Sequence, residues 1–118
     1  MGRIVVRESE RDFVSVDWGR RKILIDPESA ESKHVRVSIT EYAPGHAHEM
    51  HRHPNQEEVI FVIDGEGISR TKDGDMLITA GAFVFIPVDT DHATINVSRD
   101  RPMKAVIMKS PPAEGRKE

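Results

Sequence analysis

Cysteine is absent from the chain, which excludes disulfides, thiolate nucleophiles, iron–sulfur clusters and cysteine-based zinc sites together. Long apolar runs are missing as well. The longest, Val59–Ile63, has five residues, against the roughly 20 that a membrane-spanning helix needs. The opening residues, Met1-Gly2-Arg3-Ile4-Val5-Val6-Arg7-Glu8, lack the apolar block of a secretory signal, so a cytoplasmic location is expected. Basic charge is not in excess: Lys plus Arg number 17 and Asp plus Glu 20, for a net charge of −3. Neither a nucleic-acid nor a membrane partner is expected from that balance. A length of 118 residues holds one domain.

Helical periodicity is the other absence. Asp26-Pro27-Glu28-Ser29-Ala30-Glu31 could start one turn, but no apolar stripe of helical period follows it. What recurs is a short β-branched or aromatic run closed by Gly, Pro, Asp or Asn. The first candidate strands are Ile4–Val6, Phe13–Val16, Arg21–Ile25, Val35–Thr40, Ala47–His53 and Val59–Ile63. Ile68–Thr71, Met76–Thr79, Phe83–Ile86, Ala93–Val97 and Lys104–Met108 follow. Short strands at this spacing predict an all-β sandwich or barrel rather than βαβ units. Strict alternation over 33–40 would bury Val35, Val37 and Ile39 on one face. From Ser110 to Glu118 there are two prolines, a glycine and four charged residues. The domain is therefore expected over 1–109, with 110–118 a mobile tail.

Five of the six histidines fall in two places. In the segment from Gly45 to Glu58, His51 and His53 would point to one side of a strand, roughly 7 Å apart, and could converge on a single ion. Pro54-Asn55 turns the chain, and Glu58 opens the next strand with a carboxylate; His92 lies on a distant strand that a barrel would bring to the same interior. Glu57 competes with Glu58, and parity turns Glu57 outward.

These two blocks resemble the paired motifs of the cupin superfamily. The first motif reads here as Gly45, His51, His53, Glu58 and Gly65; the second as Gly81, Pro87, Asp89, His92 and Asn96. Asp89 stands where the family usually has Gly, and Ala82 where it often has Asp. Asp tolerates left-handed backbone better than most residues, so only a local change is expected. The resemblance implies a single jelly-roll, or double-stranded β-helix, barrel. It also implies that His51, His53, Glu58 and His92 hold one divalent transition metal per chain: Fe, Mn, Ni, Zn, Co or Cu.

Around that set, strand parity places Glu49 on the face of His51 and His53, as an acid–base candidate or as a residue orienting a ligand imidazole. His46 and His48 take the opposite parity and are expected at the surface or an interface rather than among the ligands. Ile60 and Val62 share the parity of Glu58 and are expected to line the substrate pocket. Trp18 and Tyr42 are expected over a barrel end or a dimer contact. Phe83 to Ile86 would divide between interior and sheet contact. Arg36 and His34 share a face, for which solvation is preferred over contact with an anionic substrate.

The expected function is that of a metal-dependent enzyme acting on a small oxygen-rich metabolite such as a sugar acid, keto acid or diketone. The chemistry would be that of an oxidoreductase of the dioxygenase type, or of an isomerase or decarboxylase. The rival expectation is a non-catalytic metal- or ligand-binding module. Exposed edge strands predict a homodimer.

Overall fold

The computed structural model describes residues 5–112. A single 3₁₀ turn, Glu8–Glu10, precedes ten strands: β1 Val14–Val16, β2 Gly19–Ile25, β3 Arg36–Tyr42, β4 Ala47–His51, β5 Glu57–Asp64, β6 Glu66–Thr71, β7 Gly74–Thr79, β8 Phe83–Ile86, β9 His92–Asn96 and β10 Met103–Ser110. They form two antiparallel sheets, ordered β1-β2-β3-β10-β5-β8 and β4-β9-β6-β7. The all-β character expected from the turn spacing, and the jelly roll that the resemblance implies, are both observed. Among the described residues, no helix is long and apolar enough to cross a membrane.

Local chemistry explains the short pieces. The one helix, α1 (Pro27–Ala30), is a single turn. Asp26 caps it by accepting from the Ser29 amide at 2.8 Å, and Glu31 ends it at a φ of 56°. With no apolar stripe to bury, nothing extends it. Of the expected strands, Ile4–Val6 is not found: Val5 and Val6 are irregular, and Ile4 lies outside the described residues. At the other end, Ser110 belongs to β10, and the Gln56 side-chain amide donates to the Pro111 carbonyl at 2.9 Å. Residues 110–112 are thus tied to the body; 113–118 lie outside the described residues.

The core joins both sheets. Ile78 of β7 packs with Ile60 and Val62 of β5, Tyr42 of β3, and Met103, Ala105 and Ile107 of β10. Ile60, Val62 and Met103 are at most 1% exposed, and each contributes roughly 1.5–3 kcal/mol by leaving water. Close approach is enforced at Gly67, where a Cβ would meet the Ile95 carbonyl oxygen at 2.3 Å and the Met103 sulfur at 2.8 Å. Asn96 closes the same end: its buried amide donates to the carbonyls of Tyr42 and Arg101 and accepts from the Ser98 amide.

The face of β3 that turns inward is the polar one. Ser38, Thr40 and Tyr42 are buried, while Val35 is 44% exposed and precedes the strand. Of the three residues expected on one buried face, Val35 is exposed, Val37 half-buried and Ile39 buried. Ile39 is buried from the other side, where it pairs with Lys22. The N-terminal segment crosses that outer face: the Lys22 ammonium donates to the Glu8 carbonyl at 3.0 Å and sits 4.3 Å over the Phe13 ring. Alternation defines two faces of a strand without saying which one is internal, and this barrel keeps polar groups inside.

Candidate metal centre

The centre is built where β4, β5 and β9 meet. In the β4–β9 pair, His48 opposes Thr94 and His51 opposes His92, so Glu49 and Met50 together face Ala93. That extra residue is a β-bulge, and it resets side-chain parity within the strand. His51 keeps its inward direction, and His48 turns inward too, stacked on His51 at 3.9 Å between ring centroids and on Trp18 at 4.5 Å. Glu49 turns outward. It is exposed, in a groove it shares with Met50 and Arg70 on the outer side of the four-stranded sheet. Placing Glu49 at the cavity and His48 at the surface is therefore corrected on both counts. His46 is exposed, as expected.

His53 follows β4 in a loop held against the second motif. The Asp89 amide donates to the His53 carbonyl at 2.9 Å. Arg52, between the two histidines, donates to both carboxylate oxygens of Asp91 at 2.7 and 2.8 Å and to Asp89 at 3.0 Å. Asp89 adopts a φ of 55°, the left-handed conformation that glycine takes without strain. The departure at Asp89 is thus local and gains an ion pair.

One ligand atom from each of His51, His53, Glu58 and His92 lies within 4.8 Å of the others. Glu58 Oε1 is 3.2 Å from His92 Nε2 and 3.5 Å from His53 Nε2. The outer nitrogens of two rings are fixed: His51 Nδ1 contacts the Glu49 carbonyl at 2.6 Å and His92 Nδ1 the Thr90 carbonyl at 2.9 Å. Their Nε2 atoms are left for the interior, the arrangement that orients ligating imidazoles. Apart from their 3.2 Å approach to each other, the buried Glu58 Oε1 and His92 Nε2 have no hydrogen-bond partner. Orphaned buried polar atoms are costly, and three imidazoles with one carboxylate suit a borderline divalent cation. The donor set fits a metal ion. Glu57 is exposed, so Glu58 is the carboxylate of the group.

Burial and charge set the protonation of these groups. Burial alone would raise the Glu58 carboxyl, but His92, Lys109 and His53 outweigh it and hold it below the usual range. His92 is the converse case: burial would lower it, and the Glu58 carboxylate and Thr90 carbonyl raise it overall. Burial lowers His51 and pulls His48 down to about 3, with the neighbouring His51 adding to the effect on His48. Burial likewise pushes the Tyr42 phenol above its usual range.

Ile60 and Val62 do share the inner face with Glu58, yet at 1% and 0% exposure they are packed core. The wall of the cavity beside Glu58 is made instead by Trp18, Tyr42, His48 and the polar residues of β3. Tyr42 is buried in the core, and Trp18, half-buried in the β1–β2 turn, stacks on it at 5.1 Å. Sequence parity missed His48 because the bulge is set by pairing with β9. It missed the part Trp18 plays because nothing local shows that the β1–β2 turn packs its indole on Tyr42 and His48.

Two antiparallel sheets enclosing a three-histidine, one-carboxylate cluster define a small double-stranded β-helix protein with a candidate metal centre. A family model described as Cupin domain matches residues 38–109. The chain belongs to the cupin family. Among curated proteins it is 32% identical over 76 residues to dimethylsulfoniopropionate lyase DddW of Ruegeria pomeroyi, covering 64% of this chain and 49% of that protein. The chain thus spans about half the length of the curated relative it matches. Among solved structures, an RmlC-like cupin from Shewanella frigidimarina superposes with a TM-score of 0.81 at 18% identity, over 96% of this chain and 95% of the other. A predicted oxalate decarboxylase from Thermotoga maritima gives 0.75 at 22% identity, over 91% and 98%.

Proposed function

We propose that this chain is a metal-dependent cupin enzyme of the lyase or isomerase class acting on a small oxygen-rich metabolite. One observation carries the reading: four convergent ligand atoms within 4.8 Å, beside a cavity walled by rings and hydroxyls. When bound there, a divalent cation supplies Lewis acidity toward a carbonyl or carboxylate oxygen. His51, His53, Glu58 and His92 would hold it. The chain's own contribution is orientation and water exclusion by the Trp18–Tyr42 wall. His48, a neutral imidazole stacked on His51, and the buried Tyr42 complete that wall.

The relative at 32% identity is by its name a lyase, and one structural neighbour is by its title a predicted decarboxylase. Both favour lyase chemistry over the dioxygenase expectation. The test is elemental analysis followed by product assays on the metal-loaded protein with a panel of keto acids, sugar acids and diketones. Turnover without oxygen uptake is the expected result. Stoichiometric metal with no turnover across the panel would favour the non-catalytic binding module.

We also propose a homodimer formed over the outer face of the six-stranded sheet. Phe83 and Phe85 of the edge strand β8 are 69% and 58% exposed, and Phe83 stacks on Phe61 at 4.3 Å. An edge strand carrying exposed rings is a liability that pairing removes. Light scattering should give twice the chain mass, and Phe83→Ser with Phe85→Ser should give the monomer.

A further inference from the structure

The bulge in β4 brings together two histidines that a regular strand would separate, since residues i and i+3 of a strand point to opposite faces. Here Glu49 and Met50 together face Ala93, so His48 and His51 oppose Thr94 and His92 on the same inner side. His48 stacks on His51 with centroids 3.9 Å and planes 20° apart, and on Trp18 at 4.5 Å and 20°. Two rings at those separations would overlap if they shared one face of the His48 imidazole, so His48 is sandwiched between them. Trp18 stacks in turn on Tyr42 at 5.1 Å, and Tyr42 is 2% exposed within the core. The rings of Tyr42, Trp18, His48 and His51 thus run in series from the core to a ligand of the candidate metal centre.

The plane of a histidine ring is soft, because its second side-chain torsion has a broad minimum. The 2.6 Å contact of Nδ1 with the Glu49 carbonyl holds one corner of the His51 ring and leaves the tilt about that contact open. His92 has little such freedom: at 1% exposure it is packed on every side. His51 is only half-buried, and the His48 ring against its face supplies the missing restraint. A ligating nitrogen has to aim its in-plane lone pair at the ion, so the tilt of the ring decides the quality of the bond. We propose that His48 and Trp18 are positioning residues of the metal centre: stacked between the core and His51, they fix the ring plane of His51 and with it the direction of Nε2. This rests on the metal-dependent reading above and deepens it by two residues outside the converging ligand set. It also gives the bulge a purpose, since the extra residue is what turns His48 onto the ring it holds. The restraint is a flat face, so a phenyl ring in place of the imidazole should supply it and a methyl group should not.

The experiment compares the full chain with His48→Phe, His48→Ala and Trp18→Leu, each checked for folding by far-UV circular dichroism. On metal-free protein, proton NMR reads the His51 ring directly, because its carbon-bound protons are displaced by the ring current of the stacked neighbour. His48→Phe should keep a displacement. His48→Ala should move these resonances toward unstacked positions, and Trp18→Leu should move them the same way by less. Titration with Co²⁺, followed by its d–d absorption, then reads affinity and ligand geometry. His48→Ala should bind Co²⁺ roughly 10–100-fold more weakly, as for other residues that orient a ligand, and with an altered absorption band. His48→Phe should bind close to the parent with the parental band. Unchanged His51 resonances in folded His48→Ala and Trp18→Leu would overturn the proposal, as would parental Co²⁺ affinity and band in His48→Ala. A loss in His48→Phe equal to that in His48→Ala would overturn it too, placing the effect in the imidazole nitrogens. Trp18→Leu lies on a different element and repeats the test if His48→Ala does not fold. If the parent takes up neither Co²⁺ nor Zn²⁺, the metal-dependent reading fails by itself, and the NMR comparison still decides whether the stack sets the His51 ring.

Discussion

His51 and His92 oppose each other directly across the β4–β9 pair, with ring centroids 4.2 Å apart and Nδ1 of each ring against a backbone carbonyl two residues earlier. The two rings are thereby aimed by the backbone. Truncating one should remove a ligand and leave the ladder intact. His51→Ala is expected to weaken metal binding by more than the roughly 10–100-fold typical of residues that only orient a ligand. Elemental analysis beside far-UV circular dichroism checks this. Equal metal in both proteins would count against the centre.

The bulge in β4 turns Glu49 outward, and alternation along β5 turns Glu57 outward and Glu58 inward. Glu58→Gln should lose metal, whereas Glu49→Gln and Glu57→Gln should retain it, because both of those side chains are exposed. Loss of metal from Glu49→Gln would restore the inward placement that strand parity suggested.

Parity was legible where a strand is bounded locally. β8 runs from Phe83 to Ile86 as expected, because Gly81 and Pro87 punctuate it on both sides. The ligand set was legible because its spacing is a motif. The orientation of His48 and Glu49 was not, since it depends on how β4 pairs with β9, a contact between residues more than forty positions apart. The same holds for β3, whose alternation is plain but whose buried side is decided by the polar cavity it faces.

Asp89 in the left-handed region at φ 55° makes a backbone prediction. Asp89→Ala should destabilise by up to about 1 kcal/mol through left-handed strain, which alanine tolerates less well than aspartate, with loss of the Arg52 contact added. Asp89→Gly should relieve the strain and lose only that exposed pair. Thermal denaturation of the two variants beside the parent protein separates these effects; equal losses in both would place the cost in the ion pair.

Glu8 offers a pH test remote from the centre. A hydrogen bond from Lys104 is the main influence holding its carboxyl below the ordinary value of 4.5, with burial opposing and Lys22 assisting. A carboxyl lowered in the folded state contributes stability above its unfolded value. That stability is lost as pH falls through the folded value. With the Glu8 side chain 38% exposed, solvent screening limits the contribution to about 1 kcal/mol or less. Melting curves of the parent and Glu8→Gln should differ near neutral pH and converge in acid. A gap that persists at low pH would assign the effect to packing.

Asn96 predicts a larger cost. Its side chain satisfies two carbonyls and one amide at the closed end of the barrel. Asn96→Ala should therefore lose about 1–3 kcal/mol for each buried group left unpaired, read by chemical denaturation. A loss within error of zero would show that water replaces the amide.

His51 and His92 belong to the four-stranded sheet and Glu58 to the six-stranded one. An ion seated among them would act as a rivet between the layers, fastening one rim of the molecule. Amide hydrogen exchange along β4, β5 and β9 should then slow on loading, while β7 at the opposite border keeps its original protection.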